Sequence, residues 1–110
     1  QISYINAVII CQTILEPEAL LETIHKIEAT LGRERSPDIL LWSARSIDID
    51  IVAMEDLIYK SANLRIPHPL MHERVFVLKP LVEVAPDWTH PLLRLTAKAM
   101  LVGLDTHERI

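Results

Sequence analysis

Apolar and polar positions change rhythm several times along this chain, and each change predicts an element. Residues 3–15, SYINAVIICQTIL, are rich in β-branched and apolar side chains and predict a strand. Tyr4, Asn6 and Val8 share one face of it, and Ile5, Ala7 and Ile9 the other. From Glu16 the period lengthens. EPEALLETIHKIEATLG sets Leu20, Ile24, Ile27 and Leu31 on one helical stripe, with Glu28 on its edge. Pro17 suits the first turn, Glu16 and Glu18 suit the positive end of the helix dipole, and Gly32 suits a stop. Residues 33–45, RERSPDILLWSAR, have no clean period and read as a loop.

Strict alternation returns in RSIDIDIVAM, residues 45–54. Ile47, Ile49, Ile51 and Ala53 oppose Ser46, Asp48 and Asp50, which predicts a half-buried strand. A turn at Glu55-Asp56 and a short return strand at Leu57 to Tyr59 follow. Prolines 67, 69 and 80 confine the next segment to turns and short helices, with a helix from Val75 to Val84. LTAKAMLVGL, residues 95–104, predicts a last short helix. The order strand, helix, strands, helix gives an α+β or α/β class with a largely antiparallel sheet.

Composition narrows the function classes. At 110 residues the chain reads as a single domain with room for a hydrophobic core. A net charge of −4 gives no electrostatic case for nucleic acid or an anionic membrane as partner. One cysteine, Cys11, excludes an intramolecular disulfide and fits a reducing cytosol, so a cytoplasmic protein is expected. No apolar run is long enough for a membrane helix, and no secretory leader is visible. Only Gly32 and Gly103 are glycines, so a glycine-rich phosphate loop is absent. Any phosphate must be gripped by side chains and metal.

The two aspartates carry the sharpest chemical signal. On a strand, side chains two apart point the same way, which sets the Asp48 and Asp50 Cα atoms roughly 7 Å apart on one face. Such a pair is uncommon in a strand and suits a hard cation: Mg²⁺ takes one or two carboxylates plus phosphates and waters. A solvated sheet face would carry the same two charges. Arg45 stands three residues upstream, where a guanidinium bridges phosphate beside a metal. Arg33 and Arg35 follow the helix end; each also complements the dipole, but together with Arg45 they resemble a polyphosphate clamp. Trp42 in that loop suits stacking, a lid or plain packing. His68, held between Pro67 and Pro69, suits a donor toward phosphate or a surface loop, and Arg74 lies close by in sequence. Tyr4 and Asn6, with Phe76, suit a flat aromatic and amide pocket. His25 and Cys11 read as structural, and neither a zinc ligand set nor a covalent triad is present.

LGRER, W-x-A-R-S-I-D-I-D-I and RIPHPLMHERVFVLKPLVEVAP together resemble hydroxymethyl-dihydropterin pyrophosphokinase of folate biosynthesis, over nearly the whole chain from YINAV to VEVAP. The resemblance implies a ferredoxin-like α/β sandwich and a transferase that moves the β,γ-diphosphate of ATP to the pterin hydroxymethyl group, releasing AMP. It further implies two Mg²⁺ ions on Asp48 and Asp50, with these two and Arg33 and Arg45 as the catalytic group. Arg35, Arg45, His68 and Arg74 match positions that grip the triphosphate, and Glu28 a nucleotide-side contact. Arg33 and Trp42 match a mobile closing loop, and Tyr4, Asn6 and Phe76 match the pterin pocket. Ser43-Ala44 stands where the family usually carries Gly-Pro. The family's opening strand and helix have no counterpart here, so the chain alone is expected to be inactive or to self-associate through an exposed sheet edge. Two other readings use the same residues: a Mg²⁺-dependent phosphohydrolase activating water, and a non-catalytic nucleotide-binding fragment.

Overall fold

The computed structural model describes residues 5–33 and 47–108, with side chains described through 32 and through 104. The chain falls into two compact units, one of residues 1–12 and 52–110 and one of Thr13–Ile51.

In the Thr13–Ile51 unit, helix α1 runs from Pro17 to Arg33. The Glu16 carbonyl accepts the Leu20 N–H at 2.9 Å, so Glu16 caps the helix and Pro17 takes the first helical position, where its missing N–H costs nothing. Pro17 and Ile24 are buried, Leu20, Leu21 and Glu28 are half-buried, and Ile27 and Leu31 are exposed. The covered face is therefore rotated from the expected stripe toward Leu21 and Glu28. Gly32 does not end the helix; it lies inside it without a positive φ. The Lys26–Glu22 pair at 3.8 Å is exposed at both ends and contributes little.

The other unit begins its regular structure with the turn at Glu55-Asp56, closed by the Leu57 N–H on the Met54 carbonyl at 3.0 Å, with Glu55 at φ 50°. Strands β1 (Tyr59–Lys60) and β2 (Arg65–Ile66) pair antiparallel, Tyr59 opposite Ile66 and Lys60 opposite Arg65. The Ile66–Pro67 peptide is cis. A 3-10 turn at Met71–Glu73 leads into helix α2, Val75–Val84, which carries Pro80. Helix α3 spans Ala97–Glu108, longer than the segment predicted.

The core of this unit is Met71, Leu78, Leu81, Ala97 and Met100, all buried where α2, α3 and the 3-10 turn meet, with Val8, Val52 and Trp88 packed against it. The connection between α2 and α3 is tied down by backbone pairing. His90 donates to the Leu95 carbonyl, Ala97 to the Trp88 carbonyl, and Thr89 bridges Thr96. Trp88 Nε1 donates to the Glu55 carbonyl at 2.8 Å.

Helices and an antiparallel hairpin make an α+β fold, as the element order predicts. Two expected strands differ. Residues 5–16 and 47–54 carry no assigned strand among the described residues. A β-rich alternating sequence supplies the shape of a strand, but a strand exists only through a ladder of hydrogen bonds to a neighbour. The return strand lies at Tyr59–Lys60, shifted from Leu57–Tyr59.

Candidate functional site

The Thr13–Ile51 unit carries the acidic half of the candidate residues. Along its last segment Asp48 and Asp50 are exposed, while Ile47 and Ile49 are half-buried and Ile51 is 9% exposed. The alternation expected of this segment thus holds in its burial, even though no strand is assigned. Three isoleucines hold one side inward and turn both carboxylates to the other. Glu28 reaches this segment from α1: its Oε2 accepts the Ile49 backbone N–H at 2.7 Å in a part-buried setting.

Two carboxylates on a common exposed side fit Mg²⁺. No group of three or more His, Cys, Asp or Glu side chains able to hold a metal occurs among the described residues. A Mg²⁺ ion shared with phosphate oxygens and waters needs no third protein ligand, so the pair suffices.

The other unit carries His68, Arg74, Phe76 and Asn6. His68 is fixed at backbone and ring: its backbone N–H donates to the Val52 carbonyl at 2.8 Å, and its Nδ1 accepts the Leu70 N–H at 3.1 Å. An imidazole that accepts at Nδ1 keeps its proton on Nε2, which makes Nε2 the donor. Arg74 is the residue before α2, and its carbonyl accepts the Val77 and Leu78 N–H groups at 3.0 Å. Its guanidinium lies 5.7 Å from the centre of the Phe76 ring, within cation–π range. Phe76 is half exposed. Pro80, one turn further along, cannot donate to the Phe76 carbonyl, which loosens the helix at this ring. Asn6 is exposed.

Tyr4, Arg35, Trp42 and Arg45 lie outside the described residues, as does the side chain of Arg33. Among the candidates, Arg74 with Phe76 and Glu28 with the Asp48–Asp50 segment are in contact. Sequence spacing marked Glu28 only as the edge of a stripe; the residue four positions earlier, buried Ile24, is the signal that this edge faces inward.

A second cluster was not singled out by the sequence. His90 is 4% exposed, and its Nδ1 accepts the Leu92 and Leu93 N–H groups at 3.2 and 3.1 Å. The rings of Trp88 and His72 approach it at 5.7 and 6.5 Å. Burial, with the neighbouring His72 adding to it, holds the His90 imidazole below its ordinary value. An open cavity of about 310 Å³ lies beside His72 and Glu73 against α3 and contains none of the candidate residues.

Among known proteins, the 7,8-dihydro-6-hydroxymethylpterin-pyrophosphokinase family matches residues 1–86, a span that includes every candidate from Tyr4 to Phe76. The chain is 42% identical over 91 residues to the 2-amino-4-hydroxy-6-hydroxymethyldihydropteridine pyrophosphokinase of Synechocystis, covering 83% of this chain and 45% of that protein. It is 36% identical over 92 residues to the protein of the same name from Aquifex aeolicus, covering 84% and 56%. It is 42% identical over 104 residues to the folic acid synthesis protein FOL1 of Dictyostelium discoideum, covering 94% of this chain and 15% of that one. The chain spans about half the length of the two pyrophosphokinases.

Proposed function

The chain belongs to the 7,8-dihydro-6-hydroxymethylpterin-pyrophosphokinase family, and we propose that it acts as a single pyrophosphokinase domain in folate biosynthesis. It transfers the terminal diphosphate of ATP to 6-hydroxymethyl-7,8-dihydropterin in the cytoplasm. The pterin hydroxyl oxygen bonds to the β-phosphorus, the bridge from α- to β-phosphate breaks, AMP leaves and the hydroxyl proton is lost. The observation that carries this reading is the family match over residues 1–86, a span that includes every candidate residue from Tyr4 to Phe76.

Each candidate among the described residues has a role that its setting supports, and the roles of Tyr4, Arg33, Arg35, Trp42 and Arg45 rest on the family match alone. Asp48 and Asp50, exposed on one side of their segment, hold two Mg²⁺ ions. Bound there, the metal neutralises triphosphate charge and templates the two reactants. His68, with its proton on Nε2, donates to a phosphate oxygen. Arg74 contributes positive charge to the triphosphate while its guanidinium rests against Phe76. The half-exposed Phe76 ring offers a stacking face for the flat pterin, and the exposed Asn6 amide reads the pterin edge together with Tyr4. Arg35 and Arg45 grip the triphosphate, and Arg33 and Trp42 close over it. Phosphoryl-type transfer demands little covalent work from the protein, so positioning and charge neutralisation are the whole of this catalysis.

The test is a chromatographic assay of nucleotide products with Mg²⁺ and ATP, with and without the pterin. AMP that appears only with pterin supports the reading. Inorganic phosphate released without pterin makes the chain a phosphohydrolase instead, and binding of ATP without AMP makes it a nucleotide-binding fragment.

A further inference from the structure

Within the Thr13–Ile51 unit, one side chain reaches from helix α1 to the aspartate segment, 21 residues away in sequence. Glu28 Oε2 accepts the Ile49 N–H at 2.7 Å. That amide belongs to the peptide joining Asp48 to Ile49, so the carboxylate grips the backbone between the two metal-holding residues. We infer that Glu28 is a positioning residue: by holding the Ile49 amide it sets the register of the segment and so fixes where the Asp48 and Asp50 carboxylates stand. The inference rests on the reading of that pair as the Mg²⁺ site.

The physical case begins with the backbone. In an extended chain, N–H groups of alternate residues point to the same side, and a neighbouring strand's carbonyls ordinarily accept them. Residues 47–54 carry no assigned strand. At Ile49 the Glu28 carboxylate takes the place of such a carbonyl.

Register matters more here than in an ordinary strand. A slip of one residue would turn both aspartates to the side now occupied by Ile47, Ile49 and Ile51. The packing of those isoleucines and the Glu28 tether oppose that slip together. The helix itself sets the reach of Glu28, because it stands one turn beyond the buried Ile24 on the covered face of α1. A backbone already held in place leaves less ordering for an arriving cation to drive.

Two substitutions separate the tether from the charge. Glu28→Gln keeps an acceptor oxygen of the same reach and removes the charge, whereas Glu28→Ala removes both. On the full chain, exchange of the Ile49 amide is followed by NMR. Binding of Mn²⁺, a paramagnetic stand-in for Mg²⁺, is titrated by electron paramagnetic resonance with inorganic triphosphate, so that a nucleotide-side contact of Glu28 does not enter the readout. Glu28→Ala is expected to speed Ile49 exchange and to weaken Mn²⁺ binding by about tenfold, the low end for lost outer-shell support of a metal. Glu28→Gln is expected to stay near wild type in both. If the alanine variant fails to fold, Glu28→Ser, whose hydroxyl is too short to reach, repeats the test.

Equal weakening of Mn²⁺ binding in the glutamine and alanine variants overturns the inference, because charge and not the tether would then be responsible. Unchanged binding in Glu28→Ala overturns it as well. Asp50→Asn separates the two levels of the argument: Mn²⁺ binding unaffected by that change removes the metal site itself. Binding lost in Asp50→Asn but kept in Glu28→Ala removes only the role of Glu28.

Discussion

Single side chains in this protein act mainly through which atom is already engaged. His68 uses Nδ1 on the Leu70 amide, which places its ring proton on Nε2; His90 uses Nδ1 on the Leu92 and Leu93 amides and is buried around it. The two rings therefore suit different tasks, although both precede or follow a proline in the sequence. For His90, burial and then the His72 ring favour the neutral form in the folded state. Its pKa when folded lies below that of the unfolded chain, so the unfolded chain binds more protons in between. The stability it contributes is present above the ordinary imidazole value of about 6.5 and is lost as pH falls below it toward the lowered value. His90→Asn keeps an acceptor for the two amides and removes the titration. Thermal unfolding at pH 7.5 and pH 5 should therefore show a smaller acid loss in the variant than in wild type; equal losses would exclude His90 as a source of acid sensitivity.

At the scale of elements, the connection between sequence and structure depends on whether the determining contacts are local. Helix α2 appears at Val75–Val84 as predicted, because its entry after Glu73-Arg74 and its apolar side are written in neighbouring residues. Helix α1 begins at Pro17 for the same reason, yet it passes through Gly32, since no local contact demands a left-handed residue there. The strands were less legible. Alternation correctly assigned inward and outward sides to Ile47, Asp48, Ile49, Asp50 and Ile51, but no pattern within 47–54 states whether a partner strand is present. The tie from Glu28 to the Ile49 amide was hidden for the same reason: it joins residues 21 apart and depends on how a helix meets an extended chain. The His90 cluster was hidden because its burial comes from α2, α3 and their connection folding together. Where α2 and α3 meet, Leu78 is fully buried and central to the core. Leu78→Ala should cost about 2–5 kcal/mol of unfolding free energy by removing buried methyl groups and leaving a cavity. Denaturant titration measures it, and a cost within experimental error of zero would mean that α2 and α3 are not held together through this side chain.

Over the whole molecule, the candidate chemistry is divided between two compact units. Thr13–Ile51 carries Glu28, Asp48 and Asp50; the other unit carries Asn6, His68, Arg74 and Phe76. Among the described residues, the first set is anionic and the second offers hydrogen-bond donors, a cation and an aromatic face. The most direct measurement follows the phosphorus atoms by ³¹P NMR in a mixture of this chain, Mg²⁺, ATP and 6-hydroxymethyl-7,8-dihydropterin. The account predicts that the β- and γ-phosphorus signals of ATP disappear together and reappear as a diphosphate ester of the pterin, with AMP formed in equal amount. Loss of the γ-phosphorus alone, giving ADP, or of both as free phosphate, would contradict it.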